Sequence, residues 1–264
     1  MRAGQSGSEA GLTNGVIASR SRRIRIVLAY DGAGFHGWQV QPGLPTIQGT
    51  LEEILSGMEK KPVHVAGSGR TDAGVHALAQ VAAFTLENPI PTENLVRAVN
   101  RLLPPAIRVL SAEEVDAEFH PRFDAVAKTY EYRILRTPIC SPFDWPWVYH
   151  HPFPLQEETM MRAAKTLEGQ HDFSAFAAAD DRDSEGKSKV RTIFASQLSR
   201  DGDRLVYRVR GSGFLKHMVR NIVGTLIEVG RGNLDANALP GIHRFGNTVP
   251  AKGLTLISVE YPEH

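Results

Sequence analysis

Cysteine is almost absent. One residue, Cys140, serves the whole 264-residue chain, which excludes an intramolecular disulfide and any multi-cysteine zinc site and points to a reducing compartment. Long apolar runs are missing too. None approaches the roughly 18 to 20 residues that span a bilayer, and the Gly- and Ser-rich N-terminus lacks the apolar core of a secretory signal. The expectation is a soluble, cytoplasmic protein with no membrane partner. Familiar catalytic motifs are also lacking. The ten histidines include His150-His151 but no H-E-x-x-H, and no carboxylate pair falls at ligand spacing, so no metal is expected. There is no G-x-S-x-G elbow and no Walker loop. Cys140, between Ile139 and Ser141 in a Pro-rich stretch, reads as structural.

Net charge is small as well. Thirty Lys and Arg against 29 Asp and Glu leave +1, little for a protein that binds nucleic acid, where phosphate neutralisation drives affinity. Of the basic residues 22 are Arg, the side chain suited to bidentate phosphate contacts and to stacking on bases. Arg20, Arg22, Arg23 and Arg25 cluster early, and Arg204, Arg208 and Arg210 late. The charge permits RNA without arguing for it.

What is present is a chain 42% hydrophobic, long enough for one large domain or two ordinary ones. Arg23 to Tyr30 reads as a strand. Thr46 looks like the cap of a helix carrying Ile47, Leu51, Ile54, Leu55 and Met58 on one face. A strand over Gln80 to Leu86 follows. A second helix begins near Thr92 and is expected to bury Leu95, Ala98, Val99, Leu102 and Leu103 before Pro104 stops it. Ile107 to Val115 is a further strand. The theme then repeats: a strand over Lys128 to Leu135, a helix marked by Met160, Met161, Ala164 and Leu167 that Gly169 ends, and strands over Val190 to Leu198 and Arg204 to Arg210 around an Asp201-Gly202 turn. The longest helix is expected over Phe214 to Val229, and a strand over Leu254 to Tyr261 closes the chain. The expected organisation is a disordered tail over 1–22, an N-terminal α/β half over 23–122 and a C-terminal α/β half over 123–264. The halves suggest an internal duplication, although no clear sequence repeat is visible. Asp180 to Lys189 reads as a mobile loop.

Gly32-Ala33-Gly34-Phe35-His36-Gly37 fits the G-x-G-x-x-G dinucleotide fingerprint. That fingerprint requires a helix to open within it, whereas here the helix waits until Thr46. The acidic residue expected about 20 positions on would fall inside that helix, as Glu52 or Glu53. It is not a nucleotide-binding motif.

The run Gly67-Ser68-Gly69-Arg70-Thr71-Asp72-Ala73-Gly74-Val75-His76 places one carboxylate among residues too small to bury it. Alone, such an Asp is ordinarily a turn former. Yet this run closely resembles the catalytic loop of TruA-type tRNA pseudouridine synthases, and other segments are similar to that family in the same order. They are Asp31-Gly32 with Phe35 to Gln41, Phe119-His120-Pro121-Arg122-Phe123, Lys128-Thr129-Tyr130-Glu131-Tyr132, His171 to Phe176, Val190-Arg191-Thr192-Ile193, Gly213-Phe214-Leu215 with Met218-Val219-Arg220, and Pro250 to Leu254. The match spans about Arg23 to Tyr261.

The resemblance implies a pseudouridine synthase fold of the α+β class: two similar α/β halves with antiparallel mixed sheets packing around a central catalytic cleft. It implies isomerisation of uridine to pseudouridine at tRNA positions 38, 39 and 40, with no cofactor, by a homodimer in which one tRNA touches both subunits. Asp72 is then the essential carboxylate. Attack on the base, attack on C1′ and proton removal in a glycal route all remain open to it, and all need an ionised Asp in a site that excludes water. Arg220 is the expected cationic partner that keeps Asp72 ionised, on a helical stripe shared with Lys216. Arg70 is expected to fill the space of an extracted base, or else to be a loop residue in an ion pair. Of Tyr130 and Tyr132, which share a strand face, one packs and the other meets substrate; family position favours Tyr130. The strand holding Arg204, Arg208 and Arg210 either tracks a phosphate backbone or is an exposed edge protected by charge. The rivals are a non-catalytic RNA-binding module and a carboxylate-based glycoside hydrolase, which ordinarily needs a second carboxylate.

Overall fold

Alternation along Arg22–Tyr30 (β1) sends Ile24, Ile26, Leu28 and Tyr30 into the core and turns Arg23 and Arg25 to the opposite face. The computed structural model describes residues 20–179, 188–236, 239 and 246–262. The tail expected over 1–22 lies outside them up to residue 19, as do residues 180–187 of the stretch read as a mobile loop. Thr46 caps α1 (Ile47–Glu59), its hydroxyl accepting from Gly49 N at 3.2 Å and satisfying a donor that a helix start leaves open. Ile47, Leu51 and Leu55 face the core, where each fully buried aliphatic side chain contributes roughly 1.5–3 kcal/mol.

Ala66–Gly67 (β2), His76–Leu86 (β3), Thr92–Leu102 (α2) and Ile107–Val115 (β4) follow. Helix α2 buries Leu95 and Val99, but Leu102, expected in the core, is exposed; Leu103, in extended backbone past the helix end, is buried there instead. The chain continues through Ala127–Leu135 (β5), Tyr149–His150 (β6), Glu157–Lys165 (α3), Gly169–Asp172 (β7), Val190–Asp201 (β8), Arg204–Gly211 (β9), Met218–Gly230 (α4) and Leu254–Glu260 (β10). Helix α3 stops at Lys165 rather than at Gly169. That glycine, at φ +105°, opens β7 instead.

Helix α4 also begins later than its periodicity suggests. His217 holds the N-cap position in the left-handed region, at φ 61°, which ends any helix entering from Phe214. Lys216 and Arg220 therefore share no helical stripe, and Lys216 donates to Ala179 O at 3.0 Å instead. At 13 residues α4 matches α1 in length rather than exceeding it. It is buried on nearly every side, as expected of a helix with apolar residues all round.

The strands make one continuous ten-stranded mixed sheet, ordered β4-β1-β3-β10-β5-β9-β8-β7, with β2 against β3 and β6 against β5. All neighbours along that order are antiparallel except β3 and β10, which run parallel through Thr255↔His76 and Leu256↔Ala77. This parallel pair joins the N-terminal strands to the C-terminal ones. Registers align Tyr30, Ala77, Leu256, Tyr130 and Val209 in one row across the sheet. That row belongs to a single hydrophobic cluster shared with α1, α2, α3 and α4. Strand β9 lies between β5 and β8, so it is an inner strand and not the exposed edge considered above.

Candidate active site

Residues 68–75 connect β2 to β3 and carry Asp72. Their backbone is clamped from below by the glycine-rich segment after β1. Trp38 N donates to Thr71 O at 3.0 Å, Gly74 N to Phe35 O at 3.3 Å, and Gly32 N to His76 Nδ1 at 3.1 Å. A Cβ on Gly37 would sit 2.6 Å from Thr71 O, and one on Gly32 would overlap the Val75 carbonyl. These glycines let two backbones touch, which is the physical content of the fingerprint look-alike.

From above, fully buried Gln80 ties the loop to β3. Its Oε1 accepts from Ser68 Oγ at 2.6 Å, while its Nε2 donates to Gly69 O at 3.0 Å and to the Tyr30 hydroxyl at 3.4 Å. Tyr30, whose pKa burial pushes up to about 12, shares a hydrogen bond with Thr71 Oγ1 at 2.9 Å. Sequence reasoning missed Gln80. The available signal was a polar residue at a core-facing position of an apolar strand.

Asp72 opens into a cleft of about 490 Å³. Arg220, on the first turn of α4, donates from Nη1 to Asp72 Oδ2 at 2.9 Å and from Nε to Val249 O at 2.9 Å. His217 Nε2 lies 3.4 Å from the same carboxylate oxygen. This third group was also missed, because nothing in the sequence marks the left-handed turn that aims it. Asp72 retains 24% side-chain exposure and Arg220 14%, so the carboxylate is reachable from the cleft while the pair is largely withdrawn from water.

Tyr130 borders the cleft, its ring edge-on to Phe214 at 5.0 Å, whereas Tyr132 is fully buried and donates to Pro250 O at 2.7 Å. Burial, with smaller contributions from Tyr30 and Asp72, raises the Tyr130 pKa well above the usual phenol value. Arg70 is exposed on the cleft wall. Arg122, Lys128, Arg191 and Lys216 line it as well, and Asp72 is the one carboxylate among the described residues that line it. Among the described residues no group of three or more His, Cys, Asp or Glu could hold a metal ion.

Arg204, Arg208 and Arg210 lie elsewhere. Side chains alternate along a strand, and β9 turns Leu205, Tyr207 and Val209 to the core and the three arginines to the opposite face. There Arg204 meets Asp144 at 2.7 Å, Arg208 meets Glu131 at 2.6 Å and Arg210 meets Glu260 at 2.6 Å. All three are engaged by carboxylates on the face away from Asp72.

A sequence profile of the family described as tRNA pseudouridine synthase matches residues 26–124 and 163–262. A protein of Solibacter usitatus named tRNA pseudouridine synthase A is 76% identical over 241 residues, covering 91% of this chain and 100% of its own length. One of Brevibacillus brevis with the same name is 43% identical over 246 residues, covering 91% and 100%. One of Citrifermentans bemidjiense, again so named, is 45% identical over 251 residues, covering 92% and 98%.

Proposed function

Because the chain belongs to the tRNA pseudouridine synthase family, we propose that it is an isomerase converting uridine to pseudouridine at positions 38, 39 and 40 of the tRNA anticodon stem-loop, with Asp72 as its essential carboxylate. The observation that carries this reading is the Asp72–Arg220 pair at 2.9 Å, whose carboxylate lines the cleft with Tyr130. In the reaction the N1–C1′ bond breaks, the base turns, and C1′ joins C5. The C5 hydrogen leaves as a proton and N1 ends with one, so nothing is oxidised and no cofactor is required. The detached base has to be held away from water, and the partly withdrawn carboxylate suits that need.

In this reading Arg220 aims the Asp72 carboxylate, and Tyr130 offers its ring to the target uracil. Arg70 takes the space the base leaves, since a guanidinium both stacks and meets phosphate. The basic cleft supports an RNA partner despite the near-zero net charge. A homodimer sharing one tRNA, a cytoplasmic site of action and two α/β halves over 23–122 and 123–264 complete the proposal.

The test is release of tritium from tRNA transcript labelled at uridine C5, comparing wild type with Asp72→Asn. Release by wild type alone is expected. Absence of release with tight tRNA binding would favour an RNA-binding module and overturn the catalytic reading.

A further inference from the structure

His217 stands at the start of α4 with its backbone in the left-handed region, at φ 61° and ψ 0°. Among the described residues, Lys60 is the one other residue that has a positive φ without being glycine. Lys60 closes α1 at its C-terminal end, where that conformation is a customary helix stop. A helix start is ordinarily capped from extended backbone by a short polar side chain, and the His217 side chain makes no capping hydrogen bond. Capping therefore does not explain the conformation. Its visible result is to place Nε2 3.4 Å from Asp72 Oδ2, on the wall of the cleft. Sparsely populated backbone of this kind is retained where the side chain it aims has a task.

The Asp72 carboxylate is gripped at one oxygen. Among the described residues its contacts with charged groups all fall on Oδ2, from Arg220 Nη1 at 2.9 Å and His217 Nε2 at 3.4 Å. One donor alone leaves a carboxylate free to turn, because the terminal torsion of an Asp side chain is broad. A second group meeting the same oxygen narrows that swing. His217 and Arg220 stand three positions apart at the start of α4, on one side of its first turn. With its hydrogen on Nε2 the imidazole is a donor. A contact of 3.4 Å is long for a hydrogen bond, of the kind that tightens when substrate is bound.

We propose that His217 is a positioning residue: with Arg220 it fixes Asp72 Oδ2, so that Oδ1 is the oxygen presented to the target nucleotide. The inference rests on the reading of Asp72 as the essential carboxylate and adds a group that acts through it. This role requires an N–H donor at the place of Nε2 and assigns His217 no proton transfer of its own.

The experiment measures steady-state tritium release from C5-labelled tRNA with wild type, His217→Gly and His217→Gln, and urea midpoints for all three. Glycine adopts the left-handed backbone with no penalty from a Cβ, so His217→Gly keeps the turn into α4 and removes the imidazole. Its kcat should fall about 10-fold or more, with the KM for tRNA and the urea midpoint little changed. His217→Gln, whose amide N–H groups extend about as far as Nε2, should recover most of that loss. A His217→Gly enzyme with wild-type kcat would show that the residue supplies the turn alone. A His217→Gln enzyme as slow as His217→Gly would show that the imidazole does more than donate. Either result overturns the proposal while tritium release by wild type still stands. Absence of release by wild type overturns the synthase reading and this inference together.

Discussion

At the scale of single residues, the arrangement around Asp72 makes distinct predictions for its neighbours. Arg220→Gln removes the guanidinium from Asp72 and from Val249 O together. The expected result is a fall in kcat of about 10²-fold or more with the KM for tRNA little changed, checked by steady-state tritium release. Tyr130→Leu should lose the stacking contribution, about 1–3 kcal/mol, whereas Tyr130→Phe should keep most of it. The measurement is Kd for the anticodon arm with both variants. Asp72 stood out in the sequence through the ordered family resemblance around it, because a lone Asp among glycines is ordinarily a turn former. Arg220 and Tyr130 became legible only through the family resemblance, since a helical Arg and a strand Tyr have ordinary explanations. His217 was not legible: its proximity to Asp72 depends on a left-handed backbone that histidine only occasionally adopts.

At the scale of elements, periodicity identified β1, α1 and β4 closely, because alternation and an amphipathic stripe are local properties. It failed where tertiary contacts set the ends. Helix α4 starts at Met218 because the His217 turn redirects the chain, and Leu102 is exposed because Leu103 fills the core position beyond α2. Gln80 shows the same limit within β3. Its side chain is fully buried and holds Ser68, Gly69 and Tyr30, so Gln80→Met strands buried polar groups. The expected cost is about 1–3 kcal/mol, read as a lower urea midpoint at unchanged m-value, with kcat falling further as the Asp72 loop loosens.

Across the whole molecule the near-zero net charge hides a division between faces. Acidic residues pair with arginines on the outer sheet face, as in Arg25–Glu113, Arg208–Glu131 and Arg210–Glu260, which leaves the cleft basic. No sequence-wide count could reveal this, because sheet face is decided by register. Global stability carries its own pH signature in His151. Burial chiefly, with Arg231 and Arg136 nearby, lowers its pKa from 6.5 to about 4. Between those values the unfolded chain binds the proton and the folded one does not, so stability falls as pH drops from 6.5 towards 4, by up to about 3 kcal/mol. His151→Gln should flatten that limb, measured as urea midpoints between pH 4 and 7. The closing strand β10 has a temporal consequence. It inserts between β3 and β5 and lies parallel to a strand that left the ribosome well over a hundred residues earlier. Such distant pairing is slow to form. The nascent chain carries Asp72 long before β10 exists, but β3 and β5 are joined only once that strand has emerged.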